Sequence, residues 1–232
     1  MDIKRSEWQK SYLRCENFIF YPKEECVKFL NRFVRKKSGI NKFKDSMDFS
    51  KRVRGLDFGC GIGRLTILMK EFGIDSYGID ISAHAISTAK KLSRHFGYKG
   101  MEKKFSLMRG QHIDYPDGYF DLTIAESVLD SMPFKMAQGL MREIVRVTKN
   151  IFFMSLISGD DANHYREFSG EEVVKARHES GTVQCYYNME KINALIKDTD
   201  FKLIWGQLSV MEGLLSRYKY SRYYLVLKKG DR

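Results

Sequence analysis

The sequence predicts an α/β fold, a mostly parallel sheet covered by helices on both faces, with one reversed strand near the C-terminus. Three observations carry this. From residue 53 onward, short apolar runs alternate with helical stripes. Helices of that length between strands imply right-handed crossovers and parallel pairing. The last two apolar runs, Phe201 to Val210 and Tyr223 to Leu227, have no helix-length pattern between them, so they pair antiparallel.

The elements follow in order. Residues 1–50 read as a helical extension, in which Pro22 suits a first turn and Cys26, Phe29, Leu30 and Phe33 share one face. Ser38-Gly39 stops it, and Lys42 to Arg52 reads as a polar connector. Val53 to Phe58 is the first strand, and Leu65, Leu68, Met69 and Phe72 make the inner face of the next helix. Ser76 to Ile79 is the second strand, and Ser82 caps a helix facing inward through Ala85, Ile86, Ala89, Leu92 and Phe96. Phe105 to Met108 and Phe120 to Ala125 give two more strands. Ala137, Leu140, Met141, Ile144 and Val145 form a stripe before the run Ile151 to Ile157. Residues 159–187 are polar and irregular, and Asn188 to Thr199 resembles a capped helix.

The 232 residues suit one domain with a full core. Its expected divisions are the extension 1–50, a core 51–158, and a substrate-side segment 159–232 that carries the last strands. No apolar stretch is long enough to span a membrane, and Met1 to Trp8 lacks an apolar run behind its basic residues, so a cytoplasmic location is expected. Four cysteines without paired spacing read as reduced thiols, and no metal-binding spacing occurs. The formal charge of +11 is lopsided, with 15 Lys or Arg against 7 Asp or Glu in residues 1–54. Such a face suits nucleic acid, a phosphorylated sugar or a membrane surface, and equally a solvated surface.

The chemistry concentrates at the end of the first strand, in Asp57-Phe58-Gly59-Cys60-Gly61-Ile62-Gly63. Glycines let a backbone turn tightly and approach a ligand, and the following helix aims free N–H groups at it. A nicotinamide-type GxGxxG would need glycine at position 64, which is Arg64. Asp80 ends the second strand and suits the two hydroxyls of a ribose, or the start of a helix.

Together these segments resemble the class I S-adenosylmethionine-dependent methyltransferases. Leu56 to Gly63 is similar to that family's first motif, Tyr77-Gly78-Ile79-Asp80-Ile81-Ser82 to its second, and Pro116-Asp117-Gly118-Tyr119-Phe120-Asp121 to the lead into its fourth strand. The resemblance implies a Rossmann-like seven-stranded sheet and S-adenosylmethionine as cofactor. It implies that Gly59, Cys60 and Gly61 lie against the methionine portion, with Asp57 orienting the loop. Asp80 would hold the ribose, Ile81 and Gly110-Gln111 would flank the adenine, and Glu126 would contact the methionine end or the acceptor. Arg109 stands where many relatives carry an acidic residue for the adenine amine.

A hydroxyl acceptor needs a base beyond the fourth or fifth strand. His164 and Asp130 are the candidates, each with a plain alternative: a surface histidine in a loop, and a helix-start aspartate. Asp160, Asp161 and His164 are the one grouping that could hold a divalent ion, although no metal is expected. Trp8, Tyr12 and Tyr21 suit a lid, or core packing. Glu126-Ser127-Val128-Leu129 stands where base-amino methyltransferases resemble one another in an Asn/Asp-Pro-Pro-Tyr/Phe motif. No Pro-Cys nucleophile and no paired-glutamate loop is present. An aromatic N-terminal helix, Tyr21-Pro22 and Leu129-Asp130-Ser131 resemble bacterial enzymes that methylate small molecules, especially sugars of surface polysaccharides. The expected acceptor is therefore a small molecule or glycan, and the alternative is nucleic acid bound through the basic N-terminal region. The sequence leaves the oligomeric state open.

Overall fold

A computed structural model describes residues 5–159, 170–216 and 219–230. The chain runs α1 (Arg5–Leu13), α2 (Glu24–Phe29), β1 (Arg35–Gly39), β2 (Lys42–Asp45), β3 (Arg54–Phe58), α3 (Arg64–Glu71), β4 (Asp75–Asp80) and α4 (Ala83–His95). It continues with β5 (Phe105–Leu107), β6 (Phe120–Glu126), α5 (Phe134–Val147), β7 (Thr148–Ile157), β8 (Glu171–Val173), β9 (Val183–Cys185), α6 (Met189–Ile196), β10 (Phe201–Glu212) and β11 (Lys219–Lys229).

Seven strands form the central sheet in the order β10-β11-β7-β6-β3-β4-β5. β3 to β7 are mutually parallel, while β11 is antiparallel to both β7 and β10. Only β11 is therefore reversed, as the helix-free spacing before it predicts. From β3 the chain first builds outward to β4 and β5, then returns to place β6 on the other side. Order reverses at β3, so a crevice opens beyond the carboxyl ends of β3 and β6.

The sheet is buried on both faces. On one, Met136, Leu140, Met141 and Ile144 of α5 pack with Ile192 and Leu195 of α6. On the other, Cys26, Phe29 and Leu30 pack with Leu65 and Met69 of α3 and with Phe153. Phe29 stacks on Phe153 at 4.9 Å between ring centroids. The expected caps form: Ser82 Oγ accepts from Ala85 N at 3.2 Å, and Asn188 Oδ1 from Lys191 N at 2.8 Å.

The N-terminal extension departs from expectation. It is helical over Arg5–Leu13 and Glu24–Phe29, the latter continued by the π-helical turn Leu30–Val34, and then forms the antiparallel hairpin β1–β2 in place of a polar connector. Arg35 fixes this hairpin. Its guanidinium bonds Asp45 at 2.6 and 3.0 Å and stacks over Phe43 and Phe49. A second small hairpin, β8–β9, lies in the stretch read as irregular.

Candidate functional site

The loop after β3 turns on three glycines, Gly59, Gly61 and Gly63, with φ of +73°, +53° and +88°. Side chains other than glycine rarely adopt that region. The loop is pinned to β4 because Gly59 N and Cys60 N both donate to Ile79 O at 2.9 Å. A Cβ on Gly61 would stand 2.6 Å from the Tyr12 hydroxyl, and one on Gly59 would stand 2.5 Å from Val128. Bare backbone is therefore the wall of the crevice.

Two buried carboxylates frame this loop. Asp57 Oδ2 accepts from Thr66 N at 2.9 Å and Thr66 Oγ1 at 2.7 Å, tying the end of β3 to the first turn of α3. Asp80 accepts from Gly61 N at 2.9 Å through Oδ2 and from Ser82 N at 2.7 Å through Oδ1. Burial pushes Asp57 up to about 7, against the Thr66 bonds, and Asp80 up to about 6, against its backbone donors.

Past Asp80 the crevice is apolar, lined by Ile79, Ile81, Met108, Met132 and Leu140. This slot suits a flat ring system, and Asp80 at its edge can accept from a diol. Ile81 is among the residues that line the slot. Gly110 and Gln111 do not line the slot: both are exposed, and Gln111 reaches over Gly139 of α5 instead. The cause is Glu143, which accepts from Ile113 N at 2.9 Å and pairs with His112 at 2.8 Å, drawing the loop toward α5. Met108, read only as a strand residue, lines the slot.

The other end of the crevice is polar. Glu126 ends β6 in the interior, with Lys23 Nζ at 2.7 Å, Arg64 on its second oxygen, and the Ser127 hydroxyl donating to it. Burial alone would raise its pKa, but Lys23 and Arg64 hold the carboxyl ionised well below the usual range. Ser127 adopts φ +57°, a strained conformation for a side-chain-bearing residue, and is held there by a bond from its N–H to Ser155 Oγ at 3.0 Å. Lys23 also donates to Tyr220 OH at 3.3 Å. Ser131, Gln184, Tyr220 and Arg222 complete this end.

Helix α1 roofs both ends, because Trp8, Tyr12, Gly59 and Ser127 line each of them. Arg5 donates to Ile81 O at 3.0 Å and to Met108 O. Gln9 Oε1 accepts from Ser82 Oγ at 2.8 Å and His84 N at 3.2 Å. Burial, then the nearby Asp80 carboxylate, pushes the Tyr12 phenol up. Tyr21 is exposed and outside the roof.

Asp130 is buried and lines neither end. Its Oδ2 accepts from Arg222 Nη1 and from Ile157 N, both at 2.7 Å. Burial lowers the Arg222 pKa while Asp130 raises it, and the ion pair prevails. These bonds tie the turn after β6 to β7 and β11. His164, Asp160 and Asp161 lie outside the described residues. Among the described residues, no cluster of three or more His, Cys, Asp or Glu could hold a metal. Arg5, Gln9, Lys23, Tyr220 and Arg222 escape sequence reasoning because each is brought in from a distant segment. Arg64 alone has a local signal, directly after the glycine loop.

Residues 56–151 match a family model described as a methyltransferase domain. Among curated relatives, the ribosomal protein L11 methyltransferase of Paraburkholderia phymatum is 27% identical over 122 residues, 52% of this chain and 33% of that protein. Its namesake from Ralstonia nicotianae is 33% identical over 94 residues, 40% of this chain and 28% of that one. The chain thus spans a third or less of the length of these curated relatives. Among solved structures, a SAM-dependent methyltransferase from Methanosarcina mazei has a TM-score of 0.64 at 19% identity, covering 77% of this chain and 92% of that one. The 1,6-didemethyltoxoflavin-N1-methyltransferase of Burkholderia thailandensis, solved with 1,6-didemethyltoxoflavin and S-adenosylhomocysteine, has a TM-score of 0.68 at 14% identity. That alignment covers 99% of this chain and 88% of that one. At such identities the likeness is one of fold.

Proposed function

We propose that the chain is a class I S-adenosylmethionine-dependent methyltransferase that methylates a small hydrophilic acceptor held in the polar end of the roofed crevice, a reading supported by the methyltransferase-domain match over residues 56–151 and by the shared fold. S-adenosylmethionine supplies an electrophilic methyl group carried on a sulfonium. The residues present fit that cofactor. Asp80, buried and bonded only through backbone N–H groups among the described residues, is free to accept from ribose hydroxyls at the cleft edge. Ile81, Met108 and Leu140 offer an apolar slot for the adenine. Gly59 and Gly61 bring bare backbone to the lining of the crevice, where the methionine chain would lie, and Asp57 holds that loop through Thr66. Glu126 fixes Lys23 and Arg64 at the junction between cofactor and acceptor ends.

The observation that carries the acceptor class is the roof. Trp8 and Tyr12 cover a crevice whose far end offers Asn17, Ser127, Ser131, Gln184 and Tyr220 as hydrogen-bonding groups. Such a site suits a sugar or similar polyhydroxylated molecule, and positioning the acceptor there supplies much of the rate enhancement. A base is needed for a hydroxyl, and His164 is the proposed one. Asp130 is proposed to position β11 rather than to take a proton, since Arg222 neutralises it. The basic residues behind the nucleic-acid alternative face a different groove. Lys28 pairs with Glu24 at 3.1 Å, and Arg32 stacks over Phe33 and Trp205.

Calorimetry with S-adenosylhomocysteine, with NAD as control, tests the cofactor. Formation of S-adenosylhomocysteine from S-adenosylmethionine across a panel of sugars, nucleotide sugars and oligonucleotides tests the acceptor. No binding of S-adenosylhomocysteine would end the reading. Turnover on oligonucleotides alone would reverse the acceptor class.

A further inference from the structure

Large apolar side chains stand exposed around the mouth of the crevice on two separate segments. On the hairpin β10–β11, Leu214 and Leu215 are 99% and 103% exposed, and Val210 and Met211 are about half exposed. On the segment before α2, Phe20 is 54% and Tyr21 84% exposed, while the neighbouring Ile19 lines the polar end of the crevice. The two segments meet at the mouth, where Lys23 Nζ bonds the Tyr220 hydroxyl and Tyr220 lies opposite Met211 in the hairpin. β11 pairs with β7 only from Arg222 onward, so the hairpin beyond it overhangs the ligand-bearing end of the sheet.

Both tips are aliphatic or aromatic, and Leu214-Leu215 runs on in sequence into Arg217, Tyr218 and Lys219. Apolar tips followed in sequence by basic residues match a lipid interface, where apolar groups enter the headgroup layer and Lys or Arg meet acidic lipids. The formal charge of +11 favours the same partner. Single side chains projecting fully into solvent suit a fluid phase better than a rigid complementary surface. Among the described residues no helix is long and apolar enough to cross a membrane, so attachment through them is peripheral.

We propose that the crevice mouth docks on an anionic membrane surface through the Leu214–Leu215 and Phe20–Tyr21 tips, and that the acceptor is a polar headgroup presented from that surface. The second clause rests on the methyltransferase reading; the docking does not.

The test is flotation of the full chain with phosphatidylcholine vesicles, with and without phosphatidylglycerol, alongside sedimentation velocity and S-adenosylhomocysteine calorimetry. The chain should float with the anionic vesicles only, less so as salt rises. Leu214→Ser with Leu215→Ser should weaken this about tenfold or more, since apolar insertion supplies part of the affinity. Its affinity for S-adenosylhomocysteine should stay unchanged, which shows that the variant is folded. Absence of wild-type flotation, or equal flotation of the variant, would overturn the proposal. So would a dimer that the leucine changes dissociate in a chain that does not float, because the tips would then belong to a second copy. Flotation without any S-adenosylhomocysteine binding would support docking while removing the methyltransferase reading.

Discussion

Asp80 gives the sharpest test of the cofactor site, because burial and ligand binding pull its proton in opposite directions. In the ligand-free protein its carboxyl titrates near 6, raised by burial despite the Gly61 and Ser82 N–H groups. Ribose hydroxyls donate to the ionised form, so binding selects it and releases a proton wherever the free protein is protonated. At pH 5 roughly a tenth of the protein is ionised at this residue, so S-adenosylhomocysteine should bind about tenfold more weakly than at pH 8. Asp80→Asn should abolish that dependence. At pH 8 it should also cost about 2–4 kcal/mol of binding, or roughly 30- to 1000-fold, through loss of charge-assisted bonds. A structural cost accompanies it. The carboxamide has one acceptor oxygen for two backbone donors, so its NH2 must face the N–H of Gly61 or of Ser82. One bond is then lost between opposed donors, about 1–3 kcal/mol of stability. Calorimetry between pH 5 and 8, in buffers of differing ionisation enthalpy, reads the affinity and the released proton together. Wild-type affinity independent of pH, or full affinity in Asp80→Asn, would refute the assignment of the ribose to this carboxylate.

Three further predictions follow from the buried charges and the site chemistry. Asp57 titrates near 7 folded against an ordinary 3.8, so the folded protein keeps a proton that the unfolded chain has released between those values. Its contribution to stability therefore falls as pH rises through that window, by up to about 1.4 kcal/mol per pH unit, and Asp57→Asn should flatten the slope in urea titrations of the ligand-free protein. For the Asp130–Arg222 ion pair, Asp130→Asn or Arg222→Met alone should each cost about 3–5 kcal/mol, and the double variant clearly less than their sum; strict additivity would mean that the pair is not coupled. Methyl transfer and S-adenosylhomocysteine binding should both survive EDTA, and a loss restored by magnesium would bring Asp160, Asp161 and His164 back as a metal site.

The sheet and the glycine loop were legible because their signals are local. Period, caps and positive-φ glycines act within a few residues, so the strands, the Ser82 and Asn188 caps and the Asp57-to-Gly63 turn could be read in order. Hairpin β1–β2 was hidden because Arg35 to Asp45 shows no apolar alternation. Its register depends on one guanidinium set between Asp45 and two rings. The polar end of the crevice was harder still. Glu126 could be named from its place after a strand, but Lys23 and Tyr220, which meet at that end, lie nearly two hundred residues apart. Gln111 stands over Gly139 rather than in the apolar slot, and nothing near it in sequence reveals the bond from Ile113 N to Glu143 of α5. Asp130 could be named a candidate base from its place after the fourth strand, but its partner Arg222 lies on the last strand.

The roof has a kinetic meaning. Arg5 is tethered to the carbonyls of Ile81 and Met108, the residues that wall the apolar slot, and Gln9 to Ser82 and His84 just beyond Asp80. The anchors of the helix and the walls of the slot are thus the same stretch of backbone. Anything that enters or leaves the slot shares its route with α1, so unlatching that helix and exchanging the ligand become one event. Loosening the Arg5 and Gln9 anchors should therefore shorten the time that a bound ligand stays in the slot.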